Sequence, residues 1–217
     1  MLNHENKLFT IPNMISVFRI LLVPVFSWAY MTGFTPATKG RLIAALVLVI
    51  LSGVSDKLDG AIARRTHQVS NVGKLLDPLA DKLTQIVLAV LLFVRFHGSV
   101  SAVMRQFAWV FLLFIGKEVL MLLVALTMLL LKLRPTAAEF WGKAATVAFY
   151  IVMSLLVLAG PDVGILAVYV DWALPNIVTQ VLVYLTLALT FLALFSYIPD
   201  TYRMLIKREG SKTKRKE

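Results

Sequence analysis

The chain has 217 residues, 59% hydrophobic and only 16% charged, with a mean hydropathy of +0.81. Soluble domains are about 45–50% apolar and about 25% charged, so this composition excludes one and indicates a polytopic membrane protein of single-domain length. Cysteine is absent, which excludes disulfides and thiolate metal sites and leaves oxygen donors and three histidines for any metal.

The formal net charge is +10, and seven of the 22 Lys and Arg fall within residues 203–216. In a soluble protein that tail would suggest nucleic acid. Directly after an apolar span it reads as a juxtamembrane segment drawn to anionic lipid, and no nucleic-acid partner is expected. The first ten residues lack the basic region and small-residue cleavage site of a signal peptide, so the first apolar run is expected to persist as a span.

A membrane-crossing helix needs about 20 mainly apolar residues, and six segments answer to that. The first covers 14–31. The second begins near 42, is purely apolar to about 51, and continues as a polar half to 65. The third mirrors it, polar over 74–82 and apolar over 86–94. The fourth covers 107–131, interrupted by Lys117 and Glu118. The fifth covers 144–159 and the sixth 177–197. Trp28, Trp109, Trp141 and Trp172 lie near span ends, where interfacial anchors belong. His4, His67 and His97 share no ligand spacing and read as surface or interfacial residues.

These segments predict an all-α integral membrane protein, a six-transmembrane-helix bundle. Residues 1–206 form one membrane domain and residues 207–217 a basic cytoplasmic tail. The Lys and Arg bias puts the N-terminus in the cytoplasm, with Arg64, Arg65, Lys74, Lys132, Arg134 and the tail on that side. Lys39, Arg41, Arg95 and Arg105 fall on the other.

Only 12 residues are acidic, and four of them are Asp56, Asp59, Asp77 and Asp81. Spacings of three and four place each pair on one face of a helix. A short turn would make the second and third helices antiparallel neighbours, with their carboxylate pairs facing. Four converging carboxylates repel unless protonated or neutralised by cations, and hard oxygen donors suit Mg, Mn or Ca. Gly60, Ala63 and Gly73 lie near the same faces, where small side chains let a ligand approach the backbone. Arg64 offers a planar fork to phosphate. Carboxylates, two metals and an arginine point to phosphoryl-type transfer, with one carboxylate free to take a proton from an alcohol. The plainer alternative is a solvated helical hairpin whose acids pair with Lys57, Arg65, Lys74 and Lys82. A cation or proton transporter would also use intramembrane carboxylates, but with charges at the midplane and access from both sides. A prenyltransferase would need a second acidic cluster farther along, and the sequence has none.

Asp56, Asp59, Gly60, Ala63, Arg64, Gly73, Asp77 and Asp81 fill every position of the signature of the CDP-alcohol phosphotransferases, which the chain therefore resembles. The opening segment Ile11-Pro12-Asn13-Met14-Ile15-Ser16-Val17-Phe18-Arg19 is similar to that of the phosphatidylglycerophosphate and cardiolipin synthases in that family. The resemblance implies a six-helix CDP-alcohol phosphotransferase fold, a homodimer in the cell membrane and a site facing the cytoplasm. It implies two divalent ions, Mg or Mn, on Asp56, Asp59, Asp77 and Asp81, with Asp81 as catalytic base. Asp56, Gly60, Ala63, Arg64 and Gly73 would hold the cytidine diphosphate. The donor would be CDP-diacylglycerol and the acceptor glycerol 3-phosphate or a lipid alcohol such as phosphatidylglycerol; serine and inositol phosphate fit the opening segment less well.

Candidate acceptor contacts are Arg19, Lys117, Arg134 and Lys143. Lys117-Glu118 stands where phosphatidylglycerophosphate synthases commonly carry Arg-Glu, and Lys supplies a point charge rather than a fork. Arg19 and Lys143 have a second reading, as side chains snorkelling to the interface. Glu118 either neutralises Lys117 or contacts substrate. Pro78 either bends the third helix or begins its regular part.

Overall fold

A computed structural model describes residues 11–35, 37–66, 73–130 and 140–213. Side chains are described over the same ranges except at 11–12, 56–66, 73–75, 77–78, 129–130 and 199–213. The described residues form helices and connections, with no strand. Six helices are long: α1 (Ile11–Thr32), α2 (Gly40–Thr66), α3 (Gly73–His97), α5 (Val110–Leu130), α6 (Phe140–Ala159) and α8 (Asn176–Thr213). Two are short, α4 (Ala102–Phe107) and α7 (Ile165–Tyr169).

The distribution of polarity is that of a bundle built for lipid. Thr84, Gln85, Lys117, Glu118, Thr179, Thr186 and Thr190 are buried, while Leu21, Ile151, Leu185 and Phe195 are each about three-fifths exposed. With hydrocarbon outside, apolar side chains lose nothing by facing outward, whereas each polar group needs an internal partner. Thr84 and Thr186 find theirs one turn back, donating to the carbonyls of Ala80 and Leu182 at 2.8 Å. Residues 13–32, 102–128, 140–159 and 176–198 are long and apolar enough to cross a bilayer, and residues 40–55 form a shorter apolar stretch. The chain is a multi-pass, all-α membrane protein with the predicted six-helix layout.

Three details differ from the sequence expectation. The fourth segment begins earlier, as α4, which Ser101 caps by accepting from the Met104 amide, and α5 follows at Val110 after a break. The sixth runs on as one helix to Thr213, through the point where composition turns basic. Among the described residues α2 and α3 meet only sparsely, because α1 packs against both. Further contacts join α3 to α5, α6 to α8 and α2 to α6. Pro78 falls inside α3, which begins at Gly73, so it does not start the helix.

One end of the bundle is closed by contacts in which charged groups meet a ring or a hydroxyl rather than each other. Tyr30 donates its hydroxyl to the Val163 carbonyl at 3.0 Å, Ser99 donates to Asp162, and the Arg95 guanidinium lies 3.4 Å over the Phe34 ring. Gly164 makes this closure possible, since a methyl there would stand 2.6 Å from the Gly160 nitrogen. His97 stacks on Phe93 and meets Trp109 edge-on. From here an aromatic ladder descends through Phe96, Phe111, Phe114 and Phe149 to Tyr150.

Candidate active site

The ladder ends where the polar chemistry begins. Tyr150 of α6 touches both acid-bearing helices. Its ring packs against α2 so closely that a methyl on Gly53 would stand 3.3 Å from it. Its hydroxyl donates to Asp81 Oδ1 of α3 at 3.4 Å, a long hydrogen bond. Gly53 precedes Asp56 by three residues, so one tyrosine spans the gap between the segment leading to the α2 acids and the last α3 acid. α1 packs against both helices, which meet only sparsely among the described residues, and Tyr150 bridges them here.

Asp81 is held from several sides. Gln85, one turn on, donates Nε2 to Oδ1 at 3.2 Å. Lys82 Nζ stands 3.6 Å from Oδ2, donates to Gln85 Oε1 at 3.2 Å, and reaches across to Glu118 Oε2 of α5 at 2.8 Å. Lys117 bonds the other oxygen, Oε1, of the same glutamate. Glu118 is thus clamped between two ammonium groups, with 1% of its side chain exposed. Asp81 and Lys82 retain 18% and 15% side-chain exposure, so the acid stands at the edge of an opening rather than sealed in the core. The four groups are two acids and two bases, and the cluster balances when all are ionised. Burial makes that balance necessary, since an unpaired ion here would lose its hydration without recompense.

The sequence candidates fare differently. Asp56, Asp59, Gly60, Ala63 and Arg64 belong to α2, and Gly73 and Asp77 to α3. The helical spacing assumed for the acid pairs is therefore present, but these seven side chains lie outside the described residues, as do Arg134, His4 and His67 altogether. Arg19 is fully buried, continuing an inward stripe with Asn13 and Ser16, and each of the three has an interaction partner in the chain. That burial removes the snorkelling reading for Arg19. Lys143 is exposed, as a snorkelling lysine would be. Lys82, Gln85 and Tyr150 were not singled out as site residues. Their signal was faint: Lys82 adjoins Asp81, Gln85 follows it by one turn, and Tyr150 is one aromatic in an apolar run.

Among the described residues no three His, Asp or Glu side chains gather to hold a metal. Asp81 contributes hard carboxylate oxygens at a partly open position, and the chain has no thiolate to favour a softer ion.

The fold and site are those of a membrane-embedded helix bundle with a partly exposed carboxylate beside a buried ionic cluster. Residues 9–192 match the CDP-alcohol phosphatidyltransferase family, and the chain belongs to that family of phospholipid-synthesising transferases. Members generally depend on a divalent metal. The chain is 33% identical over 170 residues to the cardiolipin synthase (CMP-forming) of Streptomyces coelicolor, covering 77% of this chain and 75% of that protein. It is 34% identical over 166 residues to the CDP-diacylglycerol–glycerol-3-phosphate 3-phosphatidyltransferase of Bacillus subtilis, covering 70% and 78%. With the Aquifex aeolicus protein of the same name it shares 28% identity over 197 residues, 91% of this chain and 98% of that one. Membership favours phosphatidyl transfer over the transporter and prenyltransferase readings.

Proposed function

We propose that the protein transfers phosphatidyl from CDP-diacylglycerol to glycerol 3-phosphate and releases CMP, as a phosphatidylglycerophosphate synthase. The observation that carries this reading is the short ionic chain from Asp81 to Lys117. It sets a carboxylate able to take a proton beside a buried cation, which suits an acceptor bearing both a hydroxyl and a phosphate. The names of the Bacillus and Aquifex relatives point the same way.

In this reading Asp81 accepts the proton of the acceptor hydroxyl. The freed oxygen attacks the phosphorus that carries diacylglycerol, and a new P–O bond forms as the bond to the diphosphate's bridging oxygen breaks. CMP leaves with that oxygen and its electron pair. Tyr150 and Gln85 orient Asp81, so the lone pair meets the hydroxyl without a search through rotamers. Arg64 contacts the diphosphate, with Asp56, Gly60, Ala63 and Gly73 shaping the nucleotide's place, and Lys117 contacts the acceptor phosphate. Arg19, Arg134 and Lys143 are further acceptor candidates. Asp56, Asp59, Asp77 and Asp81 would hold two divalent ions, Mg or Mn, which when bound neutralise the diphosphate and the departing CMP. The protein acts as a homodimer in the cell membrane with this site toward the cytoplasm, and residues 207–217 lie on the anionic inner leaflet.

Cardiolipin synthesis, with phosphatidylglycerol as acceptor, is the second reading, supported by the Streptomyces relative. Purified protein assayed for CMP release with glycerol 3-phosphate, phosphatidylglycerol, serine or inositol phosphate separates them. Turnover with glycerol 3-phosphate alone is expected, and turnover with phosphatidylglycerol alone overturns the acceptor. Asp81→Asn is expected to lower CMP release by about 10²–10⁴-fold. Chelation should abolish release, and added Mg or Mn should restore it.

A further inference from the structure

Lys82 is a partly buried cation that the proposed chemistry leaves without a task. Its ammonium has three N–H donors, and three acceptors surround it: Glu118 Oε2 at 2.8 Å, Gln85 Oε1 at 3.2 Å and Asp81 Oδ2 at 3.6 Å. Lys82 is thus engaged within the protein, by one hydrogen bond to Gln85 and by ion pairs with Glu118 and Asp81. Lys117 differs. Among the described residues its partner is Glu118, and further donors remain for a phosphate. Glu118, for its part, has both oxygens taken by the two lysines. Two cations share one acid, and of the two Lys82 is the one paired with Asp81 among the described residues.

We infer that Lys82 is a positioning residue of the transfer reaction, which holds the Asp81 carboxylate and couples it through Glu118 to the acceptor-binding Lys117. The inference rests on the phosphatidyl-transfer reading. Asp81 and Lys82 belong to α3, and Lys117 and Glu118 to α5. The ion pair between Lys82 and Glu118 therefore joins the helix of the base to the helix of the acceptor cation. An acceptor phosphate on Lys117 competes with Glu118 Oε1 for the same ammonium. Glu118 then leans more fully on Lys82, and Lys82 in turn sets the position of Asp81 Oδ2. A coupling of this kind commits Asp81 to its reactive orientation when the acceptor is seated, and not before.

The test compares kcat and KM for CMP release in wild type, Lys82→Met, Lys82→Arg and the exchange Lys82→Glu with Glu118→Lys. Each protein is purified in detergent with saturating CDP-diacylglycerol, and its thermal unfolding is followed in parallel. Lys82→Met is expected to lower kcat by about 10²-fold, the scale of a misplaced catalytic group, while KM for the acceptor stays within about threefold. Lys82→Arg keeps the charge but moves it onto a planar fork, and is expected to recover all but about tenfold of kcat. The exchange preserves an ion pair between the helices yet puts a carboxylate beside Asp81, and is expected to fold and remain as slow as Lys82→Met. An exchange protein as fast as wild type overturns the inference, since any pair would then serve. A Lys82→Met protein with higher KM and unchanged kcat also overturns it, because Lys82 would be a substrate ligand. Should Lys82→Met not fold, Lys82→Arg decides: lower kcat at unchanged KM supports the role, and wild-type kcat removes it. Wild type that releases no CMP with any acceptor removes the phosphatidyl-transfer reading itself. Normal wild-type turnover with an unaffected Lys82→Met removes the positioning role alone.

Discussion

The two ends of the bundle are held by opposite means. Around Tyr30, Arg95 and Ser99 the helices are tied by a hydroxyl on a carbonyl, a hydroxyl on the Asp162 carboxylate and one cation lying on an aromatic face. Around Asp81 they are tied by four charges joined in a chain of ion pairs, with the ladder's last ring, Tyr150, bonded to Asp81. At the first end the charged groups meet a ring and a hydroxyl, and a single cation on a ring ties helices with fewer ions to desolvate than a buried cluster of four. Charge appears in force where chemistry needs it. The difference teaches that the aromatic end is scaffold and the ionic end is machinery that the scaffold must hold still.

Substitutions at each end should separate these roles. The largest effect is expected from Glu118→Gln, which leaves Lys82 and Lys117 facing each other without their shared acid. Breaking a buried ionic cluster in this way costs about 3–5 kcal/mol, and thermal unfolding in detergent would measure it. At the other end, Arg95→Leu loses the contact with Phe34 and should cost about 1–2 kcal/mol, with kcat of the folded protein unchanged. A matching loss of kcat would dissolve the distinction between the ends. Tyr150→Phe keeps the ring against Gly53 and removes only the hydroxyl from Asp81. It should raise the barrier by about 1 kcal/mol, roughly fivefold in kcat, with little change in unfolding temperature. The smallest stability change belongs to Gly53→Ala. The added methyl presses on the Tyr150 ring, while alanine favours the helix by about 1 kcal/mol, so the two nearly cancel. A few-fold fall in kcat without destabilisation would show that this contact tunes the site.

Much of this was legible in the sequence because it is local. Apolar runs mark helices by length, and acids three and four apart mark a helix face whatever the tertiary structure. Lys117-Glu118 announced itself as charge inside an apolar run. What the sequence did not reveal was partnership across distance. Lys82 and Glu118 are 36 positions apart, and no periodicity connects them. The expectation that α2 and α3 lie side by side followed from their short connection, but α1 lies against both among the described residues. Nothing in the α1 pattern says which neighbours it will choose. Tyr150 was hidden for a related reason: a tyrosine in a membrane helix reads as packing until its hydroxyl is seen to meet an acid. The end of α8 was missed because basic composition signals solvent without signalling an end to the helix, and Lys and Arg are good helix formers.

The order of charges along α3 and α5 bears on how the protein is made. Asp81-Lys82 and Lys117-Glu118 are each an acid beside a base, so either helix enters the bilayer as a locally electroneutral segment during synthesis. When the two dock, Lys82 reaches Glu118 across the gap while each ion also keeps its neighbour. For these four charges, each helix can therefore be made in turn with an opposite charge already next in sequence.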